Sequence, residues 1–466
     1  MSMTVEIEEL RVGMFVHLDL GWWAHPFALS SFLVTSPDQL ATIRGLGLKK
    51  LRWSPEKSRL ADPAVPEARG SADDPQAIAV GALAGDTLAD AASGTPGGPV
   101  ASPATHEAAN EATAAATTNP AAAATPGPQA RHRAALAEQQ AAQHLCEQQY
   151  GEAGRAWHEM QRLVPKAPLQ ARHTTEGLTR ALLDKMMVDR EMCVRVISDA
   201  GSDRVAGHAL NVAVISLLMA RVFGFAEAEM LDLGMGALLH DVGKLDLPDR
   251  VQHAEGQLSH TDLAAYREHV ALGLAHGHRM GLSEGALLVV AQHHEMADGS
   301  GFPARLNLDR MAIGARIVSL VNRYDKLCNP AQAAQALTPH EALSLIFAQS
   351  RTKFDATMLN AFIRMMGVYP PGSVVQLTDD RYASVVSCNS SRPLKPRVMV
   401  CNTLVPVEEA LLLNLDGQAD LGIRRSLKPT QLPAAARDYL SPRQRMVYFF
   451  EPVALDAADT MEALAA

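Results

Sequence analysis

Cysteine is scarce in this 466-residue chain: Cys146, Cys193, Cys328, Cys388 and Cys401 are odd in number, scattered, and include no CxxC pair. That excludes a disulfide scaffold and a zinc ribbon, and it suits a reducing cytoplasm. Aromatic residues make up only 5% of the chain, and none occurs from Ser54 to Gln149. A basic excess is lacking too: the net charge of -9 gives no electrostatic case for a nucleic-acid polymer or an anionic membrane surface. Long apolar runs are missing. The strongest, "LNVAVISLLMARVFGF" from Leu210 to Phe225, is interrupted by Asn211 and Arg221 and is shorter than the roughly 20 residues of a bilayer span. It reads as a buried helix, and no membrane partner is expected. The N-terminus "MSMTVEIEEL" has no apolar h-region, so no secretory signal is expected and the cytoplasm is the expected location.

What is present is 47% apolar residues, enough for globular cores in several domains. Residues 1–60 hold Trp22, Trp23 and Trp53 and alternate apolar with polar residues in "VEIEELRVGMFVHLDL", which predicts a small α/β module. Residues 61–130 are rich in Ala, Pro and Thr; fifteen of the forty residues from 91 to 130 are Ala. Such a segment buries too little apolar area to offset chain entropy, which predicts a disordered linker. Residues 131–200 have helix-forming composition and read as a helical connector. From 201 to 370 one amphipathic helix follows another, which predicts a mainly α fold built as a helical bundle. From 371 to 466 short alternating strands predict a β extension.

Nine of the 17 histidines lie between His208 and His294, where a uniform spread would place about three. His208, His240 with Asp241, His269, His293 with His294, and Asp325 sit on successive helices near the ends of apolar stripes, so a bundle can turn them towards one interior site. Imidazole and carboxylate together favour Fe, Mn, Co, Ni or Zn over Ca or Mg. Asp241 can bridge two ions. Two ions roughly 3.5 to 4 Å apart activate a shared hydroxide and stabilise displacement at phosphorus, with Lys244 one turn beyond His240 as a point charge on a phosphate oxygen. Lys244 has a plainer reading as a complement to a helix dipole, and "DGSGFP" has one as a helix-stopping turn. His253, His260, His276 and His278 fall outside the set.

At "HDVGK" (His240–Lys244), "REHVALG" (Arg267–Gly273), "HHEMADGSGFP" (His293–Pro303), "ARIVSLVNRYDKL" (Ala315–Leu327) and "TKFD" (Thr352–Asp355) the chain resembles the HD-GYP family, metal-dependent hydrolases of cyclic di-GMP. The first 55 residues look like the small domain of unknown function that often precedes that hydrolase. The resemblance implies that His208, His240, Asp241 and Asp325 bind one metal, and that Asp241 bridges to a second held by His269, His293 and His294. Lys244 would hold the phosphate, and Gly301, Phe302, Pro303 and Arg305 would line the substrate. Arg204 stands where members with a third metal carry Glu, so two divalent ions, Fe or Mn, are expected.

Two departures concern the substrate. Phe302 replaces the signature tyrosine, and "KLCNPAQAAQALTPHEA" after Asp325 lacks the family's Arg-Pro-Tyr. The expected reaction is hydrolysis of cyclic di-GMP to linear pGpG by a bacterial signalling phosphodiesterase. The rival is a catalytically weak or inactive module that acts as a cyclic di-GMP receptor or interaction domain. Beyond the nucleotide, the expected partners are a diguanylate cyclase or other signalling protein and a second copy of the chain.

Overall fold

The computed structural model describes residues 3–18, 31–35, 37–58, 127–187, 191–197, 203–252, 259–349 and 351–452. The linker expected over 61–130 lies, up to residue 126, outside the described residues, as do Trp22, Trp23 and His253.

Residues 3–58 build their own small core. Strands β1 (Met3–Glu6), β2 (Phe15–His17), β3 (Ser31–Leu33) and β4 (Lys50–Ser54) form an antiparallel sheet in the order β1-β4-β2-β3, with α1 (Pro37–Arg44) between β3 and β4. The period-2 pattern sends Val5, Val16 and Leu51 inward, where they meet Leu10, Met14, Val34 and Ile43.

The bundle begins with α2 (Pro128–Leu163) and α3 (Pro168–Met186), passes through β5 (Met192–Val196), and continues with α4 (Arg204–Val222) and α5 (Glu227–Leu239). It goes on through α6 (Asp249–Gln252), α7 (His260–Arg267), α8 (His269–Met280), α9 (Glu284–Gln292), α10 (Ile313–Cys328), α11 (Pro339–Gln349) and α12 (Ala356–Met366). Caps set several starts: Asp203, Ser259, Ser283 and Asp355 each accept a backbone N–H from the first turn of their helix. In α2 the stripe Cys146, Tyr150, Ala153, Trp157 and Met160 packs into the bundle core, and the Trp157 indole N–H donates to the Leu238 carbonyl at 3.3 Å. By length and composition α4 could cross a bilayer, but 78% of its apolar window is buried inside the fold.

The helical connector expected over 131–200 holds helix only to Met186; β5 follows it, all five residues buried. A short strand of this kind shows no helical or alternating period, and its partner lies far along the chain. That partner is β11 (Tyr448–Pro452), the last of a set that includes β6 (Val374–Leu377), β7 (Tyr382–Asn389), β8 (Arg397–Val400), β9 (Leu413–Asn414) and β10 (Ile423–Leu427), with α13 (Ala434–Leu440) before it. The antiparallel sheet runs β10-β6-β7-β5-β11, with β8 joining β7 to β9. Tyr448, Phe449 and Phe450 belong to the same apolar cluster as the helices, so the C-terminal strand completes the bundle's core. Inside the sheet the buried Arg195 guanidinium is matched by Glu451 at 2.5 Å.

Candidate metal centre

Four helix segments deliver the cluster. His208 lies in the second turn of α4, His240 caps the C-terminus of α5, His269 opens α8, and His293 caps α9 with His294 next. Asp241 sits just before the tight 3-10 turn Val242–Asp246 and Lys244 within it. Gly243 is what lets that turn lie against α8, since a Cβ there would stand 2.0 Å from the His269 carbonyl oxygen and 2.4 Å from the Gly273 nitrogen. His276, also buried, ties α8 back to this turn through Asp246 at 2.8 Å.

The hydrogen bonds behind the rings define their tautomers. Nδ1 of His240, His269 and His293 donates to the carbonyls of Ala237, Tyr266 and Val290 at 2.7, 2.5 and 2.8 Å, and Nδ1 of His208 donates to Asp325 Oδ2 at 2.6 Å. A carbonyl only accepts, so in each neutral ring Nε2 carries a bare lone pair. Burial favours the neutral form: it lowers the pKa of His208 despite the Asp325 carboxylate, of His269 to about 4, of His293 to about 3, and of His294 well below the ordinary value.

These bare nitrogens converge. His208 and His240 Nε2 are 3.2 Å apart, and His269 and His293 Nε2 are 3.1 Å apart. Two lone pairs that close repel, so the contacts are not hydrogen bonds. Between the pairs stands Asp241: its Oδ2 is 3.4 and 3.6 Å from His240 and His208, and its Oδ1 is 3.5 and 3.7 Å from His269 and His293. Oδ1 of Asp241 and Nε2 of His294 are buried without a hydrogen-bond partner. Each carboxylate oxygen thus faces its own set of unprotonated nitrogens, and the donor set fits borderline transition-metal cations.

Two lysines border the cluster. Burial pushes the Asp241 pKa up, but Lys244, Lys326 and His240 outweigh it and hold the carboxyl well below its usual range. Lys244 Nζ lies 2.5 Å from Asp241 Oδ2; burial alone would lower its pKa, and Asp241 with Tyr266 raises it instead. Lys326 Nζ contacts the Tyr266 hydroxyl at 3.4 Å, and Lys244 Nζ sits 5.2 Å above the Tyr266 ring, so the tyrosine separates two cations. Neither Lys326 nor Tyr266 was singled out from sequence, although Lys326 directly follows an expected ligand.

Asp325 meets the cluster through His208. Its Oδ2 accepts the hydrogen bond from His208 Nδ1–H, and its Oδ1 accepts from Asn211 and Asn329 at 2.7 and 2.9 Å. The structure therefore places it behind His208, orienting that ring, rather than among the converging donor atoms. The reason lies in the two asparagines, which claim the carboxylate from the far side; Asn211 was visible in sequence only as a polar break in an apolar run.

The "GFP" loop leans on the second histidine group. Phe302 stacks on His294 with centroids 4.5 Å apart, and the Phe302 N–H donates to the His294 carbonyl. Gly301 is pressed against the same backbone, where a Cβ would meet His294 O at 2.5 Å. Buried Glu295 accepts from the Ala304 and Leu306 N–H groups at 2.6 and 2.8 Å and so fixes the loop. Pro303 and Arg305 are exposed on it. A cavity of about 1000 Å³ elsewhere, between α2 and the C-terminal sheet, includes none of the cluster residues.

Residues 191–358 match the HD domain family. The resemblance carried by the motifs holds. Residues 2–173 match a domain of unknown function (DUF3391), a span that runs past the first 60 residues through α2. The cyclic di-GMP phosphodiesterase PA4108 of Pseudomonas aeruginosa is 28% identical over 46% of this chain and 52% of its own length. The cyclic di-GMP phosphodiesterase response regulator RpfG of Xanthomonas campestris is 32% identical over 32% of this chain and 39% of its own length. A 3'3'-cGAMP-specific phosphodiesterase of Vibrio cholerae is 28% identical over 37% and 38%. The chain thus spans about half, or less, of the length of these curated relatives.

Proposed function

We propose that this protein is a metal-dependent phosphodiesterase that hydrolyses cyclic di-GMP to linear pGpG. The observation that carries this reading is the convergence of bare Nε2 atoms in two pairs on the two oxygens of Asp241. The names of its HD-domain relatives support the substrate class. Asp241 with His208 and His240 would hold one divalent ion, and Asp241 with His269, His293 and His294 a second, Fe or Mn by donor type. Two such ions supply an activated water and charge neutralisation at phosphorus.

The chain's own residues do the rest. Asp325 keeps the His208 proton on Nδ1, and the carbonyls behind the other rings do the same. Lys244, with 22% of its side chain exposed, presents a fixed charge to a phosphate oxygen at the mouth of the cluster. Lys326 offers a second charge across Tyr266, which supplies a cation where the segment after it lacks the family's arginine. Phe302 provides an apolar face beside His294, with Arg267 over its ring at 5.3 Å.

The test is to incubate Mn-loaded full-length protein with cyclic di-GMP and, separately, with 3'3'-cGAMP, and to identify the products by mass. Linear pGpG is expected, abolished in Asp241→Asn. Tight cyclic di-GMP binding without turnover would replace the enzyme with the receptor, and preference for 3'3'-cGAMP would move the substrate within the same class.

A further inference from the structure

The last strand reaches the metal centre through two asparagine side chains. Asn211 Nδ2, on α4, donates to Asp325 Oδ1 at 2.7 Å and to the Met446 carbonyl at 2.8 Å, while its Oδ1 accepts from the Tyr448 N–H at 2.8 Å. Asn329, just past α10, repeats the pattern: Nδ2 donates to Asp325 Oδ1 and the Met446 carbonyl, both at 2.9 Å, and Oδ1 accepts from the Met446 N–H at 2.8 Å. Both donor hydrogens of each carboxamide are used, and both lone pairs of Asp325 Oδ1 and of the Met446 carbonyl are occupied. Asn211 and Asp325 are almost fully buried, where a half-satisfied network would be costly, so its completeness makes the arrangement rigid.

We propose that Asn211 and Asn329 are positioning residues that lock Asp325, and through it the His208 ring, to the segment leading into β11. The C-terminal sheet is then part of the metal centre's scaffold and not an appendage. With Oδ1 held from behind, Asp325 presents Oδ2 to the His208 Nδ1 proton and aims the His208 Nε2 at Asp241. The effect belongs to one half of the cluster, because His269 is oriented by the Tyr266 carbonyl in the last turn of α7 and His293 by the Val290 carbonyl of α9. Partners of this kind usually change metal affinity about 10- to 100-fold when removed.

The inference rests on reading the cluster as a two-metal site, and its test separates the two ideas. Metal-stripped full-length protein and the variants Asn211→Ala and Asn329→Ala are dialysed against Mn²⁺ at a concentration just saturating the wild type, with thermal melts in parallel. The expected result is one Mn²⁺ fewer per chain in both variants, with the remaining ion bound at wild-type affinity. Asn329 is only half-buried, so its variant keeps the test open if Asn211→Ala does not fold. A folded Asn329→Ala that binds Mn²⁺ as the wild type does, or that loses both ions together, overturns the positioning role. Wild-type protein that binds no Mn²⁺ overturns the metal reading itself.

Discussion

At the scale of single residues, the centre depends on which proton sits where. His269 and His293 are kept neutral by burial, with pKa values of about 4 and about 3. Unfolding restores both to roughly 6.5, so as pH falls below 6.5 the unfolded chain takes up protons before the folded one does. The stability is therefore fully present above pH 6.5 and declines towards pH 4, by about 1.4 kcal/mol per pH unit for each ring. Metal-stripped protein should melt at a clearly lower temperature at pH 5 than at pH 7. Equal melting temperatures would show that these rings are not held neutral.

In the proposed reaction Lys326 would contribute to substrate affinity. It stands beside Tyr266 and lowers the Asp241 pKa, a placement suited to a phosphate contact. Lys326→Ala should remove one charge-assisted contact of about 1.5 to 3 kcal/mol, raising KM roughly 10- to 150-fold with kcat little changed. Metal content measured by elemental analysis should be unaltered. The exposed Arg305 is the comparison, and a larger KM effect from Arg305→Ala would transfer the clamp to the loop.

At the scale of elements, the site is a meeting of helix ends held at close range. The turn Val242–Asp246 reaches α8 only because position 243 has no side chain. Gly243→Ala would place its Cβ against backbone, which cannot rotate away, so a loss on the order of 3 kcal/mol is expected, together with reduced Mn²⁺ binding as Asp241 is displaced. Gly273→Ala faces the Val290 side chain at 3.1 Å, which can give way, and should cost less. Melting curves of the two variants decide the point; equal losses would mean that the turn is not wedged against α8.

At the scale of the whole molecule, the C-terminal strand and the helices of the bundle share one apolar core. Truncation after Ser441 removes the nearly inaccessible Tyr448 and Phe449 as well as the backbone partners of Asn211 and Asn329. The truncated protein is expected to be largely insoluble or to melt without a cooperative transition. A truncated form with wild-type melting temperature would show that the sheet is dispensable.

Much of this was readable along the chain. Helical period and cap residues mark the bundle because both are local properties, spanning at most a few turns. The histidine cluster was readable because imidazoles at the ends of successive apolar helices have few other uses, and the structure brings His208, His240, Asp241, His269, His293 and His294 together. Tertiary structure alone decided the rest. The five residues of β5 become a strand through pairing with β7 and with β11, the latter about 256 positions away, and no local pattern announces such pairings. Asp325 is legible in sequence as a candidate, but its orientation depends on Asn211 and Asn329, and theirs on Met446 and Tyr448. Residue type shows what a side chain can donate or accept; only the fold determines which partner it meets.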